Sequence, residues 1–402
     1  MKQHILVIGS GFAGLWGALG AARLLEQQGR TSEVDITLVS PAPVLHMRPR
    51  LHEHDPARME TPIAAHLAAA GVRHVAGLVE RIHHRDRSVE LRGADGSLSQ
   101  LGYDRLLLTS GSRMHRPGVP GIGEHAFSID QLDEALALER HLQALGAAPS
   151  STARDTVVVV GGGFTGIEIA AELPARLRAA LGAGAAPRVV LVERNVAVGP
   201  ELGPGPRPVI EEALEQLGVE ILLGAAVQAI DAGGVRLAGG ARIEASTVIW
   251  TGGVRASGLT AQLPGERDAF GRLHVSDDLR LPQAHEVFAA GDVARAATDE
   301  EGNHAMMACQ HAINMGRYAG HNVAADLLGL ATVAYRQPFY VTCLDLGGWG
   351  AVYTEGWERT IKMIGGRAKA LKTQINTEWI YPPAPERSLL LAEADWRNTV
   401  VA

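Results

Sequence analysis

Two glycine-rich fingerprints of the form G-x-G-x-x-G occur in this 402-residue chain, at residues 9–14 and 161–166. The first directly follows the apolar run 5–8, and the second directly follows the valine run 157–160. Each opens an alanine-rich stretch typical of a helix, so both have the strand–turn–helix context that the motif requires. The glycines let the backbone approach a pyrophosphate, which the free N–H groups of the helix start can bind. Two such sites predict two bound dinucleotides and electron transfer between them.

The alternative is that one fingerprint is only a structural turn, which the shared context of both copies disfavours. The chain is long enough for two or three domains, and its net charge of −7 argues against a nucleic-acid partner. The uncharged run 5–22 is similar to a membrane span, but four of its glycines have the fingerprint spacing and indicate a βα unit. We therefore expect a cytoplasmic protein without a spanning segment.

The chain repeats one plan twice, which is itself evidence about the fold. Each fingerprint is followed by a second strand (34–39 and 189–192), by short alternating strands, and by a small turn at 109–111 or 251–253. A further strand at 286–290 ends in Gly291-Asp292, and the pattern predicts a helix from about residue 307 to 328. The segment 144–152, rich in Ala, Gly, Pro and Ser, is typical of a linker.

Cysteine and histidine content limits the chemistry. Cys309 and Cys343 are the two cysteines, and their spacing does not form the close pair that a redox-active disulfide needs. Cys309 is better explained as a small buried residue than as a nucleophile. His46, His52 and His54 share one loop, but their spacing matches no standard metal site, so we predict no metal.

Taken together, these motifs resemble those of the pyridine-nucleotide:flavin oxidoreductase superfamily over residues 4–330. The segments GGGFTGIE at 161–168, TVIWTGGVR at 247–255 and AGD at 290–292 match the family's motifs in the family's order. The resemblance is strongest to type II NADH:quinone dehydrogenases and AIF-like NAD(P)H:quinone reductases. It implies an α/β fold with two Rossmann-like three-layer (ββα) dinucleotide-binding domains and a small C-terminal α+β domain. The implied boundaries are 1–113 with 271–330 for FAD, 114–270 for NAD(P)H, and 331–402 for the C-terminal domain.

The resemblance assigns FAD to the first fingerprint and NAD(P)H to the second. The implied FAD contacts are Gly9, Gly11, Phe12, Ala13, Gly14, Ser40, Arg48, Thr109, Gly111, Gly291, Asp292 and Gln310. The implied nucleotide contacts are Gly161, Gly163, Phe164, Thr165, Gly166, Glu193 and Gly253.

The residue that ends the second strand of each unit differs between the two copies. In the family an acid at this point binds a ribose, and Glu193 occupies it in the second unit. A carboxylate there favours NADH because it repels a 2′-phosphate, although the neighbouring Arg194 leaves NADPH as an alternative. A second interpretation makes Glu193 a solvent-exposed acid. In the first unit the position is Ser40, whose hydroxyl binds a ribose more weakly and without charge.

Three residues are candidates for the chemistry at the flavin. Glu168, one turn into the second fingerprint helix, is either a proton relay or an ion-pairing residue between domains. Gln310 retains one position of the family's quinone-site motif, and His311 is either a proton donor or a packing residue. Two loop cations, Arg48 and Arg50, suit a pyrophosphate, an anionic acceptor or simply a soluble surface.

We therefore predict an FAD-dependent NADH dehydrogenase that reduces a quinone-like or other small aromatic acceptor. The alternatives are a pathway-specific flavoprotein acting on a dedicated secondary metabolite, a ferredoxin-type reductase, and a redox-sensing binding protein. A homodimer is compatible with the sequence. Membrane-bound relatives carry basic amphipathic C-terminal helices, but the prolines within 381–385 break any long helix here. A soluble or only loosely membrane-peripheral protein is therefore expected.

Overall fold

The structure is a computed structural model that describes residues 2–182 and 185–398. The first part of the chain contains β1 (Gln3–Ile8), α1 (Phe12–Gln27), β2 (Val34–Ser40), β3 (Val44–His46), β4 (Glu60–Pro62), α2 (Ala64–Ala70), β5 (Arg73–Ala76), β6 (Leu78–His83), β7 (Ser88–Arg92), β8 (Leu98–Gly102), β9 (Arg105–Leu108), β10 (Ser112–Met114), α3 (Ile122–His125) and α4 (Leu132–Ala144).

The middle part contains α5 (Thr152–Asp155), β11 (Thr156–Val160), α6 (Phe164–Leu181), β12 (Arg188–Val192), α7 (Arg207–Leu217), β13 (Val219–Leu222), β14 (Val227–Asp231), β15 (Gly234–Leu237), β16 (Arg242–Glu244), β17 (Thr247–Trp250) and β18 (Val254–Ala256). The last part contains β19 (Leu273–His274), β20 (Arg280–Leu281), β21 (Ala284–Ala289), β22 (Ala294–Arg295), α8 (Cys309–Leu327), β23 (Val341–Asp345), β24 (Ala351–Glu355), β25 (Thr360–Ile364), α9 (Gly365–Gln374) and α10 (Arg387–Glu393).

A six-stranded sheet organises the first unit, in the order β20-β21-β9-β1-β2-β5. All its pairings are parallel except that of β20 with β21. The inner strands are apolar and buried over residues 5–8 of β1 and 106–108 of β9, as expected for parallel strands covered on both faces. Because β21 pairs with β9, a segment beyond residue 271 shares this sheet with the first 108 residues. A separate antiparallel meander, β6-β7-β8, completes the unit.

The second unit repeats this plan inside the first. Its parallel sheet has the order β13-β12-β11-β17, and β14-β15-β16 form its antiparallel meander. The two units are joined by the antiparallel pair β10–β18, in which Ser112 lies opposite Ala256. The α/β fold class predicted from sequence is confirmed, while the individual domain boundaries stay a prediction.

The C-terminal part is an antiparallel sheet, β23-β24-β25, against which α9 packs. A basic stretch at residues 367–372 lies within α9, but Lys372 on this helix is buried rather than surface-exposed. One π-helical turn, Ile375–Trp379, follows, and the proline segment then interrupts the helical structure as the sequence predicts. Across the described ranges no helix combines the length and the apolarity needed to span a membrane.

Helix α8 is held against α1 by a contact that only glycine permits. A Cβ atom on Gly320 would lie 2.0 Å from the carbonyl oxygen of Gly17, and one on Gly316 would lie 2.6 Å from that of Ala13. The two backbones therefore meet directly, which fixes the start of α8 close to the first fingerprint. The helix begins at Cys309, two residues after the position predicted from sequence.

We expect Gly320→Ala to destabilise the holoprotein by about 1–3 kcal/mol, because the added methyl group forces the two helices apart. Urea denaturation followed by circular dichroism measures the effect. The matched control is Gly366→Ala in α9, where a Cβ atom meets no heavy atom within 4 Å. Equal denaturation midpoints for the two variants would contradict the close-contact explanation.

Candidate dinucleotide and redox site

The first fingerprint forms a tight turn between β1 and α1. Gly9 has a φ of +107°, and a Cβ atom on it would lie 2.6 Å from the carbonyl oxygen of Thr109. A Cβ atom on Gly14 would lie 1.9 Å from the carbonyl oxygen of Gly9, so this position also requires glycine. A Cβ atom on Gly11, in contrast, would meet nothing within 4 Å. Backbone atoms therefore pack closely against the turn at Gly9 and Gly14, whereas the space beside Gly11 is open. This open space at the start of α1 fits a pyrophosphate.

Arg48 and Asp292 lie together beside this turn. Arg48 pairs with the Asp130 carboxylate, and its Nη1 lies 3.5 Å from Asp292 Oδ2. Ser112 donates to the same Asp292 oxygen at 2.6 Å. Burial disfavours the charged guanidinium, but the two carboxylates outweigh it and raise the pKa of Arg48. This anchored position argues against a role in surface solubility for Arg48. Arg50 instead forms a two-bond ion pair with Glu53 and belongs to a different environment.

The ribose position of the first unit is neutral. Ser40 donates to the carbonyl oxygen of Ala42 at 2.6 Å and hydrogen-bonds His74 Nε2 at 3.0 Å. Burial lowers the pKa of His74, so this imidazole is uncharged near neutral pH. His74 comes from the neighbouring strand β5, and the sequence reasoning missed it because the pairing of β2 with β5 was needed to find it.

The remaining first-unit positions surround the same turn. Gly291 has a φ of +73°, and a Cβ atom on it would lie 2.9 Å from Ala13 Cβ. Phe12 and Ala13 are buried at the start of α1, and Thr109 Oγ1 donates to the carbonyl oxygen of Ile8 at 2.7 Å. Gly111 has a positive φ and open space at its Cβ position. The structure thus brings these predicted positions together, although their contacts with FAD stay a prediction.

The second fingerprint has the same geometry and adds a carboxylate. Gly161 has a φ of +111°, and a Cβ atom on Gly166 would lie 1.8 Å from the carbonyl oxygen of Gly161. Glu193 accepts from the backbone N–H of Gly162 at 2.6 Å and from that of Asn195 at 2.7 Å. Its side chain is 5% exposed, which rules out the interpretation as a solvent-exposed acid.

The other second-unit positions line the same turn. Gly163 and Phe164 start α6, Thr165 is exposed beside them, and Gly253 has a φ of +94° in the opposite turn. Sequence reasoning missed Glu201, whose carboxylate accepts from the Phe164 N–H at 2.6 Å. This contact shows that the start of α6 can bind an anionic oxygen.

Glu168 is buried one turn into α6 and pairs with the C-terminal part of the chain. Its Oε1 accepts from Lys372 Nζ at 2.9 Å and from the Asp345 N–H at 3.0 Å. Its second oxygen, Oε2, lies 3.5 Å from His52 Nδ1. Both sequence interpretations of Glu168 therefore remain compatible, because the residue forms an ion pair and also faces a titratable imidazole.

Gln310 and His311 lie at the start of α8. Gln310 donates to the carbonyl oxygen of Val341 at 2.7 Å, and its buried Oε1 has no hydrogen-bond partner among the described residues. His311 is fully buried and stacks on Tyr340, with 5.0 Å between the ring centroids. Burial, followed by the charge of Arg359, lowers the pKa of His311 to about 3. The packing favours a structural role for His311 over a proton donor, whereas Gln310 has a free acceptor to offer.

Both cysteines are reduced thiols in poor environments for thiolate chemistry. Burial raises the pKa of Cys309, and it raises that of Cys343 to about 11. A thiolate nucleophile is therefore disfavoured at either position near neutral pH. This agrees with the sequence argument against a redox-active disulfide.

We expect the neutral state of His311 to make the stability depend on pH. The free imidazole has a pKa of about 6.5, so below this pH His311 becomes protonated in the unfolded chain but stays neutral in the folded one. The contribution of His311 to the free energy of unfolding is therefore complete above pH 6.5, and it falls by up to about 1.4 kcal/mol for each pH unit below that value. His311→Phe keeps the ring stack and should remove this slope. Urea denaturation at pH 7.5, 6.5 and 5.0 measures this dependence. Substitution of an exposed histidine, His285→Gln, is the control. If stability depends on pH equally in wild type and in His311→Phe, the neutral state assigned to His311 is refuted.

Comparison with known proteins agrees with this geometry. The chain is 48% identical over 395 residues to an NADH dehydrogenase-like protein of Mycobacterium tuberculosis, covering 97% of this chain and 98% of that one. It is 30% identical to the type II NADH:quinone oxidoreductase Ndh of the same organism (84% and 75% covered) and 28% identical to the demethylphylloquinone reductase NdbB of Synechocystis (87% and 86%).

Solved structures show the same fold. NDH2 from Plasmodium falciparum in complex with NADH superposes with a TM-score of 0.78 at 14% identity, with 98% of each chain covered. The sulfide:quinone oxidoreductase of Aquifex aeolicus gives a TM-score of 0.77 at 18% identity, with 97% of this chain and 93% of that one covered. The family profile described as pyridine nucleotide-disulphide oxidoreductase matches residues 3–316. The resemblance and the oxidoreductase class predicted from the motifs are thereby confirmed: the chain belongs to the pyridine nucleotide-disulphide oxidoreductase family.

Proposed function

We propose that this chain is an FAD-dependent NADH dehydrogenase that passes the electrons of NADH to a quinone. The observation that carries the proposal is the pair of dinucleotide cradles, of which the second holds a buried, preorganised carboxylate, Glu193. Relatives named for NADH:quinone and demethylphylloquinone reduction support the quinone as acceptor. FAD and NADH are the two cofactors.

The first unit, residues 1–113 with 271–330, holds FAD. The turn at Gly9–Gly14 and the N–H groups of α1 bind its pyrophosphate, and Asp292 with Arg48 lies beside it. The neutral Ser40–His74 pair receives the adenosine ribose. FAD held there would supply the redox chemistry that links a two-electron hydride donor to the acceptor. The start of α8, including Gln310, directs free N–H groups toward the flavin and stabilises negative charge there.

The second unit, residues 114–270, binds NADH. The Glu193 carboxylate is already oriented by the N–H groups of Gly162 and Asn195 and by the side-chain amide of Asn195, and its Oε2 retains a lone pair for a ribose hydroxyl. A 2′-phosphate at the same place would repel this carboxylate by about 4 kcal/mol at a separation of 4 Å and an effective dielectric of 20. NADH is therefore the preferred electron donor.

The acceptor side combines Gln310 and Glu168. Gln310 offers its unpaired carbonyl oxygen, and Glu168 provides a carboxylate that can hold a proton close to the acceptor. The C-terminal part, residues 331–402, covers this side through β23 and α9. Because Arg48 is paired with Asp130 and Asp292, it gives no support to an anionic metabolite as acceptor. We place the protein in the cytoplasm or loosely on the membrane surface, as a monomer or homodimer.

Anaerobic titration of the purified yellow protein tests the function. NADH should bleach the flavin absorbance within the dead time of manual mixing, and a short-chain quinone should then restore it. A colourless protein that does not take up FAD would overturn the proposal. Rapid bleaching followed by failure of every quinone would overturn the acceptor and favour a dedicated metabolite.

We expect Glu193→Ala to raise the KM for NADH by about 10- to 100-fold, the equivalent of losing one or two charge-assisted hydrogen bonds. The KM for NADPH should change much less, because its 2′-phosphate gains from removal of the carboxylate. Steady-state rates with both nucleotides measure the difference in one protein preparation, so misfolding would affect both. Equal loss with NADH and NADPH would remove the proposed role of Glu193.

A further inference from the structure

A cluster of buried charged groups joins four segments of the chain behind Glu168. It consists of His52 on the loop after β3, Glu168 on α6, Asp345 at the end of β23, and Lys372 on α9, each at most 6% exposed. Lys369, also on α9, pairs with Asp345 Oδ1 at 2.5 Å. Lys369 also lies 3.5 Å from Glu172 Oε1, at the edge of the cluster. Each of the two buried carboxylates, Glu168 and Asp345, is thus paired with an ammonium group whatever the charge of His52.

His52 lies between the two carboxylates. Its Nδ1 is 3.5 Å from Glu168 Oε2, and its Nε2 is 3.8 Å from Asp345 Oδ2. Both distances are too long for a settled hydrogen bond, and Nε2 has no hydrogen-bond partner among the described residues. Glu168 Oε1 already accepts two hydrogen bonds, so Oε2 is the oxygen that faces the imidazole and can take a proton from it.

A solvent-facing cavity lies beside the residue that follows His52. This residue, Glu53, lines a cavity of about 280 Å³ together with Arg50 and Tyr381. The Glu53 side chain is partly exposed and is held by Arg50 and by Asn376. His52 itself does not line the cavity, but the Glu53 carboxylate does, and it lies within electrostatic reach of the His52 imidazole.

The Glu168 side of the cluster leads toward the proposed flavin site. Strand β23 carries the carbonyl groups that bind Gln310, through Val341, and Lys372, through Cys343. The thiol of Cys309, the first residue of α8, lies within electrostatic reach of both Lys372 and Asp292. The cluster and the FAD cradle are consequently neighbours.

Quinone reduction needs a proton from this direction. NADH supplies a hydride, which contains two electrons and one proton, whereas a quinone becomes a quinol by taking up two electrons and two protons. One proton per turnover must therefore come from water. The reaction NADH + H⁺ + quinone → NAD⁺ + quinol then balances in atoms and charge.

We propose that His52 is the relay residue that carries this proton from the solvent cavity to Glu168. In each turnover the N–H bond at Nδ1 breaks and an O–H bond forms at Glu168 Oε2, which passes the proton to the reduced acceptor. A proton from the solvent cavity then restores the N–H bond at Nδ1, which returns His52 to the imidazolium. This inference rests on the quinone reduction proposed above.

The electrostatics of the cluster agree with such a relay. Burial disfavours the imidazolium, but Glu168 and Asp345 outweigh burial and the charge of Lys372, and they raise the pKa of His52. Arg176 adds a cation on α6, through a hydrogen bond to the His52 carbonyl oxygen, and Glu53 adds a carboxylate on the loop. His52 is therefore protonated over a wider pH range than a free imidazole, and proton delivery weakens as the pH rises through its pKa.

His52→Asn tests the relay by separating electron transfer from proton transfer. Stopped-flow bleaching of the flavin by NADH should stay within twofold of wild type, as should turnover with ferricyanide, which takes electrons without protons. Turnover with a short-chain quinone should fall by about 10- to 100-fold in kcat. Imidazole added to His52→Ala should restore part of this rate. His46→Asn, at the end of β3 just before this loop and paired with Glu60 at the surface, is the matched control and should behave as wild type.

Asp345→Asn gives a second readout that does not require removal of His52. Loss of this carboxylate lowers the His52 pKa, so the alkaline fall of quinone kcat should move toward lower pH by about one unit. An unchanged pH profile in this variant, or equal loss of quinone and ferricyanide activity in His52→Asn, would overturn the relay. Failure of NADH to bleach the wild-type flavin would instead overturn the proposed function itself.

Discussion

The direct backbone contact between α1 and α8 is the constraint on which the redox site depends. Gly17 and Gly320 approach each other without side chains between them, so the two helices cross at the shortest distance that backbones allow. This contact brings a segment more than 250 residues away in sequence to the first fingerprint. Gln310, at the start of α8, is held beside the proposed FAD cradle by this contact, whereas Asp292 is placed there by β21, which pairs with β9. The geometry of the proposed site is therefore a consequence of helix and strand packing rather than of local sequence.

The buried charges around Glu168 impose the second constraint. A single ion in such an environment costs several kcal/mol, and removing one partner of a buried pair typically costs about 3–5 kcal/mol. Glu168 and Asp345 are tolerable only with Lys369 and Lys372 beside them, and both lysines come from α9. The lysines of α9 thus balance the charge of these buried carboxylates. Basic residues near a C-terminus, which in a sequence are typical of a membrane-surface helix, therefore lie partly inside this protein.

The sequence predicted what is local. Both fingerprints, the strands before them, the acid at Glu193 and the Gly-Asp turn at Gly291–Asp292 follow from residues that are neighbours or lie at a fixed spacing. It could not predict the partner of Glu168, because Lys372 lies 204 residues further along the chain, on the C-terminal helix α9. His74 and Asp345 were missed for the same reason: each reaches its site through strand pairing or helix packing. His52 was noted and dismissed as a metal ligand, since spacing alone could not show the two carboxylates that enclose it.

The two ribose positions illustrate how one fold holds one dinucleotide and exchanges another. Glu193 is already fixed by Gly162 and Asn195, so in the proposed function little ordering cost is paid each time NADH binds. The proposed contact selects the nucleotide by charge without enclosing it, which suits a cofactor that leaves after every turnover. Ser40 and His74 provide only neutral hydrogen bonds, which contribute less affinity. FAD retention must therefore come from the enclosed turn and from α8 packed over it, and weakening the α1–α8 contact would loosen FAD before it affected NADH.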